Sequence, residues 1–201
     1  MTNKQVNPLG NKTIIYQLDA DDRLIHVNIE WDRFANDNTG DSLLSHKIVN
    51  QSIWDYITGP EVQVIYKELF KRARASKKTI AFNYRCDSAE MKRYMHMSIV
   101  PYQNSDGLQL YSRELRQEPQ RKVVKLDFLG DHEIHVNSQL RCSNCNKINV
   151  GNEWLELEDA VEKAGIFQKQ GTFKVMSTVC GECHARLMQL GIPENLSVAK
   201  P

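Results

Sequence analysis

The sequence predicts an α+β protein: an antiparallel sheet of five strands with helices on one face, followed by a small cysteine-rich module. Three observations predict this class. Five short segments alternate apolar and polar residues, one longer segment repeats apolar residues every three or four positions, and four of the five cysteines form two C-x-x-C pairs near the end. Because consecutive strands joined by short turns pair antiparallel, we expect the helices on one side of the sheet.

The first two strands are predicted to form a hairpin. Apolar side chains alternate in TIIYQL, the acidic stretch DADD is typical of a turn, and LIHVNI forms the returning strand. Two short helices are predicted next, from EWDRFANDN and QSIWDYIT, with a polar loop between them. The second helix is expected to end at Gly59 and Pro60, since both residues interrupt helices.

The segment from Glu61 to Lys78 has the clearest helical pattern in the chain. Its apolar residues recur at the spacing of one helical face, with Phe70 at the centre, and its charged residues occupy the opposite face. Three strands are predicted after it, from TIAFNYRC, KRYMHMSIVPY and GLQLYSREL, each with alternating apolar positions. The long helix is therefore expected to cover the core of the sheet.

This order of elements resembles a known family. The segment LDADDRLIHVN leading into IEWDRFA, then IWDYITGPE and the long helix, is similar to PAS-type sensory domains, particularly those of small bacterial proteins. The resemblance covers residues 12–118 and rests on the element order and on Asn28, Trp31, Trp54 and Asp55. It implies a PAS-like fold that senses a small molecule or dimerises.

The resemblance also implies a ligand pocket between sheet and helices. Six aromatic residues are candidates for its lining, although packing in an ordinary apolar core is the simpler explanation for them: Trp31, Phe34, Trp54, Tyr56, Phe70 and Phe82. Haem-binding relatives commonly take an axial histidine from the long helix, and photoactive flavin relatives carry a cysteine in a short helix before it. The chain has neither residue there, so both cofactors are disfavoured and the ligand is unassigned.

A linker is predicted over residues 119–138. Pro119 and a charged run from Arg113 to Lys122 mark its start. The short apolar stretch from Val123 to Leu129 is expected either to add a strand or to join the two units. The remaining residues, 139–193, form the predicted cysteine module.

Cys142, Cys145, Cys180 and Cys183 are the candidate metal ligands. Zn²⁺ prefers four ligands in a tetrahedron, and two residues between paired cysteines let both sulfurs of a tight turn reach one ion. The second pair precedes a short apolar helix, whose N-terminal dipole favours thiolates. A knuckle followed by a helix start predicts a treble-clef-like zinc module. The pattern, with Lys147 and Trp154, is also similar to the tails of some bacterial PAS-containing and response-regulator proteins.

Three other uses of the cysteines compete with zinc: disulfides, haem attachment and a redox dithiol. Disulfides are rare in a reducing cytoplasm, which is the expected compartment because the N-terminus has no apolar segment typical of an export signal. CGECH also matches a haem-attachment motif, but that chemistry belongs with export. A redox dithiol stays open as the alternative, although thioredoxin-like chemistry needs one pair beside a βαβ unit, which is not predicted.

The charge and hydropathy of the sequence argue against two classes of partner, nucleic acids and membranes. The net charge is +1, and the sequence from Asp127 onward contains seven Lys and Arg residues and ten Asp and Glu residues, so this part is acidic. A nucleic-acid module needs the opposite sign, so we expect no nucleic-acid partner. No apolar run approaches the roughly 20 residues of a membrane helix, so we expect no membrane partner. We found no nucleophile elbow, phosphate-binding loop or kinase motif.

These observations predict a non-enzymatic cytoplasmic signalling or interaction protein. A PAS-like domain would be joined to a structural zinc finger that contacts protein partners, with a homodimer as one arrangement and a small-molecule ligand as another partner. The competing prediction is a thiol-based redox sensor or oxidoreductase that uses the C-x-x-C pairs.

Overall fold

The computed structural model describes residues 13–38, 40–121, 126–128, 138–163 and 173–192. We call residues 13–119 the sheet unit, and residues 126–128 and 138–192 the cysteine module. The elements of the sheet unit are β1 (Thr13–Leu18), β2 (Leu24–Val27), α1 (Ile29–Asp37), α2 (Ser45–Ile48), α3 (Pro60–Ser76), β3 (Ile80–Arg85), β4 (Met91–Pro101) and β5 (Leu108–Pro119). Those of the module are β6 (Leu126–Phe128), β7 (Gln139–Cys142), β8 (Ile148–Val150), β9 (Glu153–Leu155), α4 (Leu157–Lys163), β10 (Phe173–Thr178) and α5 (Gly181–Met188).

The predicted fold class is confirmed. The sheet unit has five antiparallel strands in the order β2-β1-β5-β4-β3. The alternation seen in the sequence is the alternation of burial: in β4, Met95, Met97 and Ile99 are buried while their neighbours are half-buried. Since successive side chains of a strand point to opposite faces, one face of the sheet is apolar and carries the core.

Helix α3 covers that core as the periodicity predicted. It begins with Pro60 directly after Gly59, which has φ +93°, and ends at Lys77 in the left-handed conformation. Pro at the first helical position loses no intrahelical hydrogen bond. Phe70 is 1% exposed. Its ring is tilted against the ring of Trp54 and meets the ring of Tyr66 edge to face. The core therefore lies between α3 and the sheet.

Helix α1 is tied to the sheet by Asn28. Its side-chain oxygen accepts hydrogen bonds from the backbone N–H of Ile15 at 3.0 Å and of Trp31 at 3.3 Å. Its amide donates to the Thr13 carbonyl at 2.8 Å. One residue thus caps α1 and pairs with β1.

The segment QSIWDYIT differs from its predicted helix, because only Ile53–Asp55 form a short 3-10 turn. The Ile53 N–H donates to the Asp22 carbonyl at 3.0 Å, and the Trp54 indole donates to the Asp22 carboxylate at 3.2 Å. These bonds tie the segment to the β1-β2 turn instead of to a continuing helix. Helix α2 lies within the predicted polar loop.

The cysteine module has its own sheet, in the order β6-β10-β7-β8-β9. Strand β10 is parallel to both β6 and β7, and β7, β8 and β9 are antiparallel neighbours. The small core of the module consists of buried apolar side chains from β8, α4 and β10: Ile148, Leu157, Ala160, Val161 and Val175. Strand β6 lies inside the predicted linker 119–138, most of which is outside the described residues.

The two parts pack against each other through α5. Leu187 is 3% exposed and belongs to the core of the sheet unit. The Arg72 guanidinium donates to the carbonyls of Met188 at 2.6 Å and Leu190 at 2.9 Å, which are at and beyond the end of α5. A cation at these carbonyls satisfies acceptors that the helix leaves unpaired. Helix α5 is therefore anchored on α3.

A second contact between the two parts is ionic. Lys92 on β4 lies 3.2 Å from the Glu158 carboxylate and 3.4 Å from the Glu156 carboxylate, and Arg85 lies 3.3 Å from Glu156. Lys92 is 8% exposed and Glu158 is 1% exposed. Charges so deeply buried cost several kcal/mol of desolvation each unless they are paired. The ion pairs therefore hold α4 to β4 in a fixed position.

Candidate metal centre

The backbone brings the two C-x-x-C pairs together through parallel strands. Thr178 at the end of β10 is paired with Cys142 at the end of β7. The Ser143 N–H donates to the Thr178 carbonyl at 2.8 Å, which extends the pairing into the turn. Since both strands run the same way, the first pair follows β7 and the second follows β10 at one edge of the sheet.

The first pair lies in a tight turn between β7 and β8. The Cys142 N–H donates to the Lys147 carbonyl and the Asn146 N–H to the Cys142 carbonyl, both at 2.9 Å. Asn146 has φ +62°, a left-handed conformation that asparagine adopts more readily than most residues. The turn directs both sulfurs to the same side, as the predicted zinc knuckle requires.

The second pair lies at the start of α5. Cys180 is the N-cap residue, with φ −65° and ψ 154°, and Cys183 is in the first turn. The N-terminus of a helix presents unpaired N–H groups and the positive end of the dipole, which favour a thiolate. His184, which directly follows Cys183, is exposed and outside the cluster.

The four sulfurs have the spacing that a tetrahedral metal needs. All four lie within 4.8 Å of one another, and Cys145 Sγ is 3.9 Å from Cys180 Sγ. Four sulfurs at the Zn–S distance of about 2.3 Å would be about 3.8 Å apart in a regular tetrahedron. Cys142, Cys180 and Cys183 are buried. The arrangement can therefore hold a metal ion, and the donor set fits a soft or borderline divalent ion.

Several N–H groups of the surrounding residues point at the sulfurs. The Cys180 backbone N–H donates to Cys142 Sγ at 3.3 Å, and the Asn144 side-chain amide donates to Cys183 Sγ at 3.4 Å. An Arg186 guanidinium nitrogen is 3.9 Å from Cys183 Sγ. Such donors stabilise thiolate charge and orient the ligands around a metal.

The thiols influence each other's ionisation strongly. A hydrogen bond from Cys145, helped by backbone N–H groups, lowers the pKa of Cys142 well below its usual value. The same hydrogen bond and burial raise the pKa of Cys145. Burial also raises the pKa of Cys180. A divalent ion that binds here displaces the protons from the thiols.

Cys86, the fifth cysteine, is outside the cluster. It follows β3, is half-buried rather than fully buried as its alternation predicts, and burial raises the pKa of its thiol. The site thus contains the four cysteines of the C-x-x-C pairs and no other cysteine, and Cys86 provides a natural control for mutagenesis.

The six aromatic residues named as a candidate pocket lining are divided between cavities and core. Trp31 and Tyr56 line a cavity of about 340 Å³, and Trp31 and Phe34 line a second cavity of about 220 Å³. Phe70 and Phe82 are 1% and 7% exposed and belong to the core, against which Trp54 packs. The structure thus places three of the six beside open space, two in the packed interior, and the half-buried Trp54 against that interior.

The sequence did not identify the non-cysteine residues around the sulfurs. Asn144 and Asn146 are buried in the knuckle, and Val179 packs against both the cysteines and the core of the sheet unit. An asparagine inside a C-x-x-C pair and another directly after it are a usable signal, since asparagine tolerates left-handed backbone and its amide donates to acceptors. Val179 carries no such signal, because its role depends on the docking of α5.

Comparison with solved structures finds similarity over about half of the chain. A domain of an HTR-like protein from Haloarcula marismortui has a TM-score of 0.39 and 18% identity, covering 52% of this chain and 99% of that one. A sensory box sensor histidine kinase from Vibrio cholerae has a TM-score of 0.37 and 9% identity, covering 51% and 81%. The PAS domain of an HTR-like protein from Haloarcula marismortui has a TM-score of 0.32 and 18% identity, covering 51% and 86%.

These similarities assign no family and transfer no functional residue, because the TM-scores and identities are low. No protein-family model matches the chain, and a search among curated proteins finds no match either. In the part of the chain that the structure describes, no helix has the length and apolar character needed to cross a membrane.

Proposed function

We propose that the protein is a non-enzymatic, cytoplasmic sensory or interaction protein, in which Cys142, Cys145, Cys180 and Cys183 bind one structural Zn²⁺. The observation that carries the proposal is the packing of four sulfurs within 4.8 Å of one another at the edge of a sheet. Four thiolates saturate zinc and leave no position for a catalytic water, which favours a structural role over hydrolysis.

The size of the cysteine module also supports a metal. Its own core contains only five buried apolar side chains among the described residues. So small a core supplies little stability, and small modules usually need a metal or disulfides in addition. Because the site does not exist in the unfolded chain, zinc binding energy becomes folding energy. We infer that zinc holds the module in the shape that docks on the sheet unit.

The proposed sensory role assigns ligand sensing or dimerisation to the sheet unit and protein contacts to the module. Its support is the sequence resemblance to PAS-type domains, together with cavities beside Trp31, Phe34 and Tyr56. A signal would then pass by contact with a protein partner or a second copy of the chain. Light scattering at several concentrations tests the homodimer, and a mass that stays monomeric throughout excludes it.

The metal is tested by elemental analysis of the full chain purified under reducing conditions. We expect one zinc per chain in the unmodified protein and in Cys86→Ser, which changes the cysteine outside the cluster. Cys145→Ser is expected to lose the metal, since three ligands hold zinc far less tightly than four. Circular dichroism of both variants checks that the sheet unit is still folded.

The alternative is a thiol-based redox sensor. It is favoured by the 3.9 Å separation of Cys145 Sγ and Cys180 Sγ, which belong to different pairs. It is disfavoured by the burial of three of the four cysteines, Cys180 among them. A metal-free protein whose four thiols react rapidly with a thiol reagent would contradict the zinc proposal and support this one. Zinc-bound thiolates are expected to react slowly instead.

A further inference from the structure

The cavity of about 340 Å³ lies between the two parts of the molecule. From the sheet unit it is lined by the loop residues Tyr56, Ile57 and Thr58 and by Ile65 and Tyr66 of α3, among others. The cysteine module completes the wall with four residues: Ser143, Asn144, Val179 and Leu187. Neither part encloses this space by itself.

Three of the four wall residues from the module are positioned by the cysteine cluster. Ser143 and Asn144 are the two residues between Cys142 and Cys145, and Val179 directly precedes Cys180. Their placement therefore depends on both cysteine pairs being held together.

Asn144 makes this dependence specific. Its side-chain amide donates to Cys183 Sγ at 3.4 Å. Its backbone carbonyl accepts a hydrogen bond from the backbone N–H of Arg85 at 2.8 Å. One residue thus contacts the cavity, the metal site and the last residue of β3.

The loop on the opposite wall also rests on the module. Thr58 Oγ1 donates to Ser177 Oγ at 3.3 Å. At Gly59 there is no room for a side chain, since a Cβ there would lie 2.7 Å from the Ser177 carbonyl oxygen. The loop that lines the cavity therefore packs tightly on Ser177 of β10, three residues before Cys180.

The lining of the cavity defines the class of ligand. None of the described residues around it is charged, so an ionised ligand would lose its hydration without gaining a partner. Most of the lining is aliphatic or aromatic. Tyr66 makes no hydrogen bond with any described residue, and burial raises its pKa to about 12, which keeps its hydroxyl protonated. The volume is within the range of small-molecule sites.

We propose that the cysteine module is one wall of a binding site for a small, uncharged, mostly apolar molecule with one hydrogen-bonding group, and that metal binding and ligand binding stabilise each other. The proposal rests on the proposed metal site. Without the metal, Ser143, Asn144 and Val179 are no longer held in position, so the module no longer closes this side of the cavity. By linkage, any factor by which zinc tightens the ligand is the factor by which the ligand tightens zinc.

The probe for the first experiment is 2-naphthol, which is uncharged at pH 7, with 2-naphthoate as a charged counterpart of similar size. Binding to the full chain is followed by NMR titration under reducing conditions, with zinc bound and after removal of zinc by a chelator. We expect the zinc-bound chain to bind 2-naphthol at least tenfold more tightly than the zinc-free chain, and to bind 2-naphthoate at least tenfold more weakly than 2-naphthol.

Val62 provides the matched variants. It lines the cavity and is 4% exposed, whereas Val64 on the same helix is 62% exposed and does not line it. Val62→Phe is expected to fill the space and to weaken 2-naphthol binding at least tenfold with one zinc per chain retained. Val64→Phe is expected to change neither quantity. Saturating 2-naphthol should also slow zinc transfer to a chromogenic chelator in the unmodified chain and not in Val62→Phe.

The outcomes separate this inference from the proposed function. Equal affinity of the zinc-bound and zinc-free chains for 2-naphthol overturns the coupling. Unchanged binding to Val62→Phe, or no saturable binding to the zinc-bound chain, overturns the assignment of the cavity as the site. In each of these cases the measured zinc content leaves the proposed metal site standing. A chain that retains no zinc overturns both proposals.

Discussion

The sheet unit and the cysteine module are stabilised by different means. Among the described residues, sixteen buried apolar side chains form the core around α3 and the first sheet, one of them Leu187 from the module. The separate core of the module has five. At about 25 cal/mol per Å² of buried apolar surface, a core of the first size can stabilise a domain and a core of the second size cannot.

The comparison teaches that the two parts are unequal partners. The module is held by the ion pairs of Glu156 and Glu158, by Leu187 docking into a core that belongs to the sheet unit and, as proposed, by a metal on its four sulfurs. We therefore expect perturbations of the metal to act mainly on the module, and perturbations of the core to act on both parts.

Removal of zinc should have the largest effect. Structural zinc contributes on the order of 10 kcal/mol in small zinc modules at neutral pH. A chelator is expected to abolish hydrogen-exchange protection in β7, β8 and α5 while protection persists in β4 and β5. Equal loss of protection in both parts would contradict the proposed independence of the sheet unit.

Phe70→Ala should have the next largest effect. Its side chain is 1% exposed at the centre of the first core, and truncation of such a residue leaves a cavity that costs about 3–5 kcal/mol. Urea unfolding measures the change. Val64→Ala on the exposed face of α3 is the control and is expected to stay within about 0.5 kcal/mol. A small change for Phe70→Ala would contradict the packing described for α3.

The ion pair between Lys92 and Glu158 tests the docking of the two parts. Glu158 is 1% exposed, and Lys92→Met removes the ammonium group that is paired with its carboxylate. Leaving this buried charge without its lysine costs about 3 kcal/mol of stability. The double variant Lys92→Met with Glu158→Leu is expected to recover most of that loss, since no charge is left unpaired. Urea unfolding of the two variants makes the measurement. No recovery in the double variant would show that packing, rather than charge, explains the loss.

The predicted domain boundary is tested by the chain 1–118. We expect it to fold, with a loss of about 2 kcal/mol because the burial of Leu187 is removed. Circular dichroism and thermal unfolding make the measurement, with the full chain as reference. An unfolded fragment would show that the boundary lies further along, at or beyond β6.

The smallest expected effect is the pH dependence of the stability that the ion pair between Lys92 and Glu158 contributes. Burial by itself raises the pKa of Glu158, but the backbone N–H groups of Glu158 and Arg121 together with Lys92 outweigh it, so the pKa lies below its usual value. A depressed carboxylate pKa gives stability that is present above the unfolded pKa and is lost as pH falls through the folded pKa.

Urea midpoints measured from pH 7 to pH 3 test this dependence. The difference between the unmodified chain and Glu158→Gln is expected to shrink as pH falls, because the carboxylate becomes protonated while glutamine does not titrate. Arg85, Lys92 and Arg121 are the cations near this carboxylate and Glu156, and all three stay charged in that range. A difference that is constant with pH would contradict the role of the charge.

The sequence by itself determined the strands and the long helix of the sheet unit and the four cysteines of the candidate metal site. Periods of two and of three to four specify strands and an amphipathic helix, since these periods follow from backbone geometry. The strands β1 to β5 and helix α3 accordingly lie where predicted. The C-x-x-C spacing is equally local, because it needs only one tight turn to bring two sulfurs to the same side.

Tertiary structure alone decided the contacts between residues far apart in sequence, including those that join the two parts. The 3-10 turn at Ile53–Asp55 depends on Asp22, the burial of Leu187 depends on α3, and the pairing of Lys92 with Glu158 joins residues 66 positions apart. Local periodicity carries no information about such contacts. For the same reason the sequence could name Trp31, Phe34 and Tyr56 as pocket candidates but could not place Asn144 and Val179 beside the cavity, because that placement exists only once the cysteine module has docked.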